Sequence, residues 1–390
     1  MVKDLREKFN KEFTEKKYNN FLNDIWEITN GKEDFRINET PLFLSEELKN
    51  KLVIASEEIT AQLQRKEFKE ASKDAVPEKY NLPNEDEHPL FLQVDFAIAK
   101  DENDELIPQL IELQGFPSLY AFQTFLANKI KEHFNIDDSF TNYFSGYDDE
   151  KYLKLFSKAV LNGRDKENVV LLEINPNQQK TRIDFYLTKK YLGIETVSIT
   201  EVIQEGNKLF YKNDRKKIPI ERIYNRVIFD ELEHKKTEFN FNFKDDLNVE
   251  WAGHPNWFFR ISKYSLPLIK TKFAPQCFFL DNINEYPDNL ENYVLKPLYS
   301  FAGSGVEVEV TKEKLNSIKD PQNYILQKKV EYAPLIKTPD EYAKAEIRMM
   351  FIWLDKPVLV NNLLRVSKGK MMGVDYNKNK TWIGANIAFH

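Results

Sequence analysis

The sequence is poor in cysteine and glycine and contains no long apolar run. A single cysteine, Cys277, in 390 residues excludes an internal disulfide framework and is typical of a reducing compartment. The first residues are charged where a signal peptide would be apolar, and no stretch approaches the length of a membrane span. We therefore expect a cytoplasmic protein with no membrane partner.

The chain also lacks an excess of positive charge. Its net charge of −6 argues against nucleic acid as a partner, because nucleic-acid-binding domains are usually basic. A hydrophobic content of 42%, with 29 Phe and 18 Tyr, excludes a disordered chain. At this length we expect two or three domains, each with a core of its own.

Because the chain has only 12 glycines, the two at Gly303 and Gly305 stand out. An apolar run from Tyr293 ends at Lys296, a turn of small residues follows, and apolar and charged residues then alternate over 306–310. This pattern predicts a strand, a glycine loop and a second strand. A lysine at a strand end, beside backbone N–H groups of a glycine turn, suits a polyphosphate. An ordinary hairpin is the alternative, and the P-loop sequence is absent.

The first 87 residues predict an N-terminal helical segment. Apolar residues at helical spacing predict one helix over about 3–29, and Ser45 is a suitable N-cap for a second. Residues 74–88 are polar and contain prolines, so we expect a loop there.

Two strands with polar positions follow, over 90–98 and 110–114, separated by a charged turn. Asp95 is placed in an apolar strand, where a carboxylate needs a partner. Glu112 and Gln114 are two residues apart and point to the same face of a strand. Each residue alone is compatible with surface polarity, but together they predict a Mg²⁺ site shared with phosphates.

The middle of the chain has an α/β pattern. Strands predicted over 169–174 and 194–199 flank a helix over 181–192, which is the spacing of a parallel β-α-β unit. A further strand is predicted over 223–229, with Arg226 among apolar residues. A buried arginine requires an acidic partner or an anionic ligand, and the sequence leaves both open.

The last third begins with an aromatic-rich stretch over 251–272, which we expect to be helical. The stretch over 324–331 follows the glycine loop, and strands are predicted over 345–352 and 358–366. Glu346 and Arg348 are two residues apart, so they share a face of their strand.

The order of these elements resembles the ATP-grasp superfamily: Lys-Pro, glycine loop, Tyr-Ile-Leu-Gln-Lys-Lys-Val-Glu, Glu-Ile-Arg and Leu-Leu-Arg-Val. Most members have an acidic strand pair after these elements, whereas its counterpart here, from Asp95 to Pro117, precedes them. The chain therefore resembles the circularly permuted glutathionylspermidine synthases and eukaryotic glutathione synthetases. The resemblance implies an α/β (α+β in part) ATP-grasp fold. Its strand pair would lie in 88–165, a pre-ATP-grasp domain in 166–268 and the nucleotide-binding subdomains in 269–390.

The resemblance also assigns roles to residues. It assigns catalytic roles to Lys296, Arg348 and Arg365. It makes Asp95, Glu112 and Gln114 the metal ligands. The positions that it assigns to ATP are Lys263, Lys296, Gly303, Ser304, Gly305, Gln327, Lys328, Val330 and Glu346.

The activity implied is an ATP- and Mg²⁺-dependent ligase that joins a small-molecule carboxylate to an amine through an acylphosphate. Relatives carry an arginine where this chain has Gln93, and a glutamate in the glycine loop where it has Ser300 and Ala302. These departures leave two alternatives open, a nucleotide-binding protein without ligase activity and a small-molecule kinase. The oligomeric state is not implied by any of these patterns.

Overall fold

The computed structural model describes residues 2–31, 35–299, 305–369, 372, 377 and 379–390. The helices are α1 (Lys3–Glu12), α2 (Glu15–Ile28), α3 (Glu46–Leu63), α4 (Lys66–Ala71), α5 (Tyr120–Phe134), α6 (Asp149–Leu161), α7 (Arg182–Leu192), α8 (Phe229–Lys235), α9 (Asn256–Arg260) and α10 (Lys312–Asn316). The strands of the first half are β1 (Leu42–Phe43), β2 (Phe91–Lys100), β3 (Leu106–Gln114), β4 (Val169–Glu173), β5 (Glu195–Ser198), β6 (Ile203–Glu205), β7 (Lys208–Asn213), β8 (Lys216–Ile220) and β9 (Arg222–Asn225). Those of the second half are β10 (Glu250–Ala252), β11 (Cys277–Phe279), β12 (Tyr293–Pro297), β13 (Tyr324–Lys328), β14 (Ile336–Lys337), β15 (Tyr342–Trp353), β16 (Pro357–Ser367), β17 (Gly384–Asn386) and β18 (Ala388–Phe389).

A mixed α/β architecture is therefore present, and its largest sheet joins distant parts of the chain. The strand order in this antiparallel sheet is β17-β16-β15-β2-β3, and β14 also pairs with β15. Asp95 of β2 is opposite Arg348 of β15, about 250 positions later in the chain. The early strand pair and the C-terminal strands therefore belong to one sheet.

A second sheet is parallel, with the order β10-β9-β4-β5. The predicted β-α-β unit is confirmed, since β4 and β5 pair in parallel and α7 connects them. Parallel strands of this kind are buried on both faces, and all five residues of β4 are buried. The carboxyl ends of these strands form one edge, where open α/β sheets bind ligands.

Two smaller sheets among the described residues are antiparallel. One has the order β6-β7-β8. The other has the order β11-β13-β12 and carries Lys296 at the fourth position of β12. The predicted second strand over 306–310 is reduced to a single bridge between Leu295 and Glu307.

Three predicted elements differ from the structure for local reasons. The helix over 3–29 is two helices, because Thr14 caps α2 by accepting a hydrogen bond from Lys17 N at 3.2 Å. The strand over 223–229 ends at Asn225, and α8 begins at Phe229. The stretch over 251–272 contains β10, α9 and a 3-10 helix at Lys263–Leu268, because Gly253, Pro255 and Pro267 interrupt a continuous helix.

The N-terminal segment is connected to the end of the chain by strand pairing. β1 and β18 pair in parallel, with Phe43 opposite Phe389. Helix α3 places its buried residues, including Leu48 and Leu52, in the same core as one face of the large sheet. In the part of the chain that the structure describes, no helix combines the length and the apolar character that crossing a membrane requires.

Candidate functional site

Strand alternation places one face of the large sheet in an apolar core and brings a cluster of polar side chains to the other face. On β2, the side chains of Leu92, Val94 and Phe96 join the core beneath α3. Gln93 and Asp95 alternate with them and therefore point to the opposite face. The same alternation on β15 and β16 brings the polar residues Glu346, Arg348 and Arg365 to that face.

Asp95 is the centre of an ion-pair cluster on this face. Its side chain is fully buried, and its two oxygens accept hydrogen bonds from Nε and Nη2 of Arg348, at 2.6 and 2.8 Å. Oδ2 also accepts from Nη2 of Arg365 at 2.5 Å. Burial alone would raise the pKa of Asp95, but the two guanidinium groups outweigh it and hold that pKa below its usual range.

Arg365 connects this cluster to Glu346 and to the open face. Its Nη2 lies 2.7 Å from Oε2 of Glu346, and the hydroxyl of Tyr332 donates to the other oxygen of that carboxylate. About a third of the Arg365 side chain is exposed, whereas that of Glu346 is 3% exposed. Arg365 is thus fixed on one side by carboxylates and accessible on the other.

Two lysines approach the same face from neighbouring elements. Lys296 donates from Nζ to the carbonyl of Ile111 at 3.2 Å, and Lys263 Nζ lies 3.7 Å from Oε1 of Glu112. Burial lowers the pKa of Lys296; the charge of Glu112 opposes this shift, and that of Lys263 adds to it. Lys263, which is buried, and Lys296, which is partly buried, therefore contact neighbouring positions of β3, at Glu112 and Ile111.

The predicted adenine hinge lies at the end of β13. Gln327 is buried, is opposite Cys277 of β11, and donates to the carbonyl of Leu110 at 3.5 Å. The backbone amides of Lys328 and Lys329 donate to the carbonyls of Gln276 and Asn292, so both amides are used in hydrogen bonds within the protein. Val330 follows and is partly buried. The role of this hinge stays a prediction.

Most of the predicted glycine loop lies outside the described residues, including Gly303 and Ser304. Gly305 is described and has φ +71°, a left-handed conformation that favours glycine. An added Cβ there would lie 3.2 Å from Cγ of Pro297, so this glycine also packs closely on the end of β12.

A second group of polar residues lies at the carboxyl edge of the parallel sheet. Arg226 follows β9 directly and is 3% exposed, with its guanidinium over the rings of Phe116 and Phe185. Among the residues that the structure describes, its Nε and Nη1 have no hydrogen-bond partner, and Nη2 reaches only Thr181 Oγ1 at 3.5 Å. The sequence left open whether Arg226 has an acidic partner or an anionic ligand. Within the described residues, Arg226 forms no direct salt bridge with an acidic partner.

Carboxyl groups close to Arg226 do not pair with it. Glu173 accepts from the backbone N–H of Ile174 at 2.7 Å, and burial raises its pKa to about 8, with Arg226 acting against the shift. Asp184 accepts from two amides in the first turn of α5, at 2.9 Å each, and burial also raises its pKa. Arg226 therefore carries a charge that its neighbours do not neutralise fully.

The predicted magnesium ligands are brought together, but Asp95 does not fit that role. Asp95 is opposite Glu112 and Gln93 is opposite Gln114, so the three predicted ligands lie on paired strands. Both oxygens of Asp95 already accept arginine N–H groups, so three of its about four lone-pair positions are taken. Glu112 and Gln114 are partly exposed and remain compatible with a phosphate-bound cation.

Another carboxylate group was not predicted from the sequence. Within the described residues, one set of His, Cys, Asp or Glu ligand atoms lies within 4.8 Å of one another, and it consists of Asp24, Glu132 and His133. Lys129 forms ion pairs with both of its carboxylates, at 3.0 and 2.7 Å, so these residues join α2 to α5. No motif spacing marked them, because they come from two separate helices.

Glu173 was also not selected from the sequence. The signal was present, because a carboxylate ends the buried strand β4. Its significance depends on Arg226, and only the parallel pairing of β4 with β9 shows that the two strand ends are adjacent.

No protein-family model matches the chain, and no curated protein is detectably similar to it in sequence. Its structure is similar to that of a glutathione synthetase-like effector from Globodera pallida, solved in its apo form. The TM-score is 0.56 at 10% sequence identity, over 90% of this chain and 89% of that one. The chain has a glutathione synthetase-like fold. At this identity, the likeness concerns the fold and not the activity.

Proposed function

We propose that the chain is an ATP-dependent carboxylate–amine ligase with a circularly permuted ATP-grasp fold, acting on a small acid or peptide-like substrate. The observation that carries the proposal is that Lys296 donates to the carbonyl of Ile111 while Lys263 pairs with the adjacent Glu112. The glutathione synthetase-like fold supports it.

Two lysines that are largely removed from water and close to each other destabilise a protein unless an anion accompanies them, because each charge is desolvated and repels the other. Here the carboxylate of Glu112 pairs with Lys263, and its charge also acts on Lys296. A nucleotide carries several phosphate charges and would satisfy both lysines at once. Gly305 has a left-handed conformation and packs on Pro297, the residue that follows Lys296.

The chemistry needs little from acid–base groups. In the proposed reaction, the terminal phosphoryl group of ATP moves to the substrate carboxylate, and the resulting acylphosphate is attacked by an amine with release of phosphate. Such a transfer depends on positioning and on neutralising charge. Lys296 would neutralise the phosphates, and Arg365, exposed on the open face, would bind the acceptor or the transferring group.

Arg226 indicates the class of substrate. Its unpartnered N–H groups lie in a buried site lined by Phe116 and Phe185, beside the loop that follows β3. A guanidinium of this kind binds a carboxylate through two parallel hydrogen bonds. We therefore infer that the acid substrate is anionic at a group other than the one that is activated. Magnesium would enter with the nucleotide and face Glu112 and Gln114.

One observation favours a second candidate, a nucleotide-binding protein without turnover. The predicted metal ligand Asp95 is enclosed by two arginines, so one ligand of the implied ligase site is unavailable. Tight ATP binding without ADP formation for any pair of substrates would favour this candidate.

Nucleotide binding is tested with Lys296→Met, which removes the charge and keeps the apolar stem. Because a charge-assisted contact contributes about 1.5–3 kcal/mol, we expect ATP affinity measured by calorimetry to fall about 10- to 100-fold. Lys312→Met, on the exposed first turn of α10, is the matched control and should leave the affinity unchanged. Equal affinity in wild type and Lys296→Met would remove the basis of the proposal.

A further inference from the structure

The arrangement around Asp95 points to a role that differs from the metal ligand implied by the resemblance. We propose that Asp95 is an anionic anchor that holds Arg348 and Arg365, and that Arg348 is its permanent counter-ion. The proposal deepens the proposed function, because it assigns the residues that position Arg365.

Two arginines occupy most of the acceptor positions of Asp95. An ionised carboxylate offers about four lone-pair positions, and three of them are taken by N–H groups at 2.5–2.8 Å. The side chain is fully buried. A divalent cation would also have to approach two guanidinium groups of the same sign.

Arg348 of β15 supplies a positive charge that the neighbouring strand β2 lacks. The relatives that the sequence resembles carry an arginine at the position of Gln93, and here the charge comes from β15 instead. The Nη1 of Arg348 donates to Oε1 of Gln93 at 2.9 Å, while its other donors bind Asp95. Gln93 completes the set by donating to the carbonyl of Ser118 at 2.8 Å. Each nitrogen of the guanidinium therefore donates to β2, and three of its five N–H groups are engaged there.

The consequence concerns Arg365. Asp95 and Glu346 contact the same Nη2 from two strands, and this holds that end of the guanidinium while part of the side chain stays exposed. Without Asp95, Glu346 alone would hold that group. Asp95 and Arg348 are thus positioning residues for Arg365.

The anchor is tested first without nucleotide or metal, by thermal unfolding in EDTA. Asp95→Asn and Arg348→Met each leave a buried charge without its partner, and we expect each to lower Tm by about 5–15 °C. The double variant removes both charges and should recover at least half of that loss. Glu102→Gln, an exposed carboxylate in the turn after β2, is the control and should change Tm by less than about 1 °C.

If Asp95 were a metal ligand, the opposite result would be expected. Without a cation, the carboxylates of Asp95 and Glu112 would repel each other, so Asp95→Asn would keep or raise Tm in EDTA, and this result would overturn the anchor.

The second measurement is the Mg²⁺ concentration that half-saturates the stabilisation of the ATP-bound protein. It should agree within about twofold between wild type and Asp95→Asn, and rise at least tenfold in Glu112→Gln. A tenfold rise in Asp95→Asn would also refute the anchor. Because the EDTA experiment uses no ATP, failure of nucleotide binding would not affect it.

Discussion

At the scale of single residues, Glu173 is a buried carboxyl group with a raised pKa, outside the ion-pair cluster of Asp95. It ends the buried strand β4, close to the guanidinium of Arg226. Burial raises its pKa to about 8, so the folded protein holds a proton that the unfolded chain releases at about pH 4.3. The stability that this proton contributes is complete below about pH 4.3 and is lost as the pH rises through about 8.

We predict that Glu173→Gln removes this pH dependence. Relative to the variant, wild type should lose free energy of unfolding between about pH 4.5 and 8, by at most about 1.4 kcal/mol per pH unit. Above that window the difference should be constant. Urea unfolding at several pH values measures it, with Glu150→Gln in the exposed first turn of α6 as the control. Parallel pH profiles for wild type and Glu173→Gln would show that Glu173 is ionised in the folded state.

The sequence identified several of the important residues but not their partners. Asp95 and Arg226 were recognisable because a charge inside an apolar strand needs compensation. Which group supplies it depends on register: Arg348 faces Asp95 only because β15 pairs with β2 in one alignment. A shift of that register by one residue would point Arg348 to the opposite face.

At the scale of secondary structure, the end of β3 is fixed by close packing on α9. The N–H of Gly115 donates to the carbonyl of Ile261 at 2.9 Å. A Cβ at Gly115 would lie 2.4 Å from the carbonyl oxygen of Trp257, which is closer than real contacts allow. Glycine at this position therefore lets the strand that carries Glu112 and Gln114 reach the helix.

We predict that Gly115→Ala destabilises the protein by about 1–3 kcal/mol and also weakens ATP binding, because the strand must move away from α9. Unfolding and calorimetry measure the two effects. Gly163→Ala is the control: it lies in the turn after α6, at the amino end of the parallel strands, has φ +77°, and has open space at its Cβ position. It should lower stability by about 1–2 kcal/mol through backbone strain and leave ATP affinity unchanged. Unaltered stability in Gly115→Ala would contradict the contact.

Elements with strong periodicity were predictable, and those that depend on contacts were not. The strands β2, β4, β15 and β16 follow apolar patterns and were predicted near their observed positions. The stretch over 251–272 was not, because its aromatic residues resemble a helix face while prolines and Gly253 divide it. Its short strand β10 exists only through pairing with β9.

At the scale of the whole molecule, strand pairing brings the two ends of the chain together. Leu42 N donates to Ile387 O at 3.0 Å, and Leu44 N donates to Phe389 O at 2.8 Å. Phe389 is fully buried, and its ring lies 6.5 Å from that of Phe43. The N-terminal segment is therefore attached to the large sheet by hydrogen bonds and by a shared core.

We predict that Phe389→Ala lowers the free energy of unfolding by about 3–5 kcal/mol, because it leaves a cavity between β1 and β18. In this variant, the amides of Leu42 and Leu44 should lose protection and exchange hydrogen faster than those of β2 when native-state exchange is followed. Tyr342→Ala, at a side chain that is 55% exposed, is the control for loss of an aromatic ring. If the amides of Leu42 and Leu44 kept their protection, the pairing would not hold the segment.

The overall fold was predictable from the order of weak motifs, since the glutathione synthetase-like fold agrees with the resemblance in the sequence. The pairing of β1 with β18 was not, because two-residue strands carry no periodic signal. The contacts of Asp95 with two arginines could not be predicted either, because they join side chains of three strands that only the folded sheet brings together.

The proposed ligase activity is tested most directly by measuring ADP release over a matrix of acids and amines, including amino acids, peptides and polyamines. We predict that ADP forms only when an acid and an amine are both present, that wild type forms it, and that Lys296→Met forms at least a hundredfold less. ATP binding without ADP release for every pair would contradict the ligase. A phosphorylated product that accumulates without any amine would contradict it as well, because it would identify a kinase.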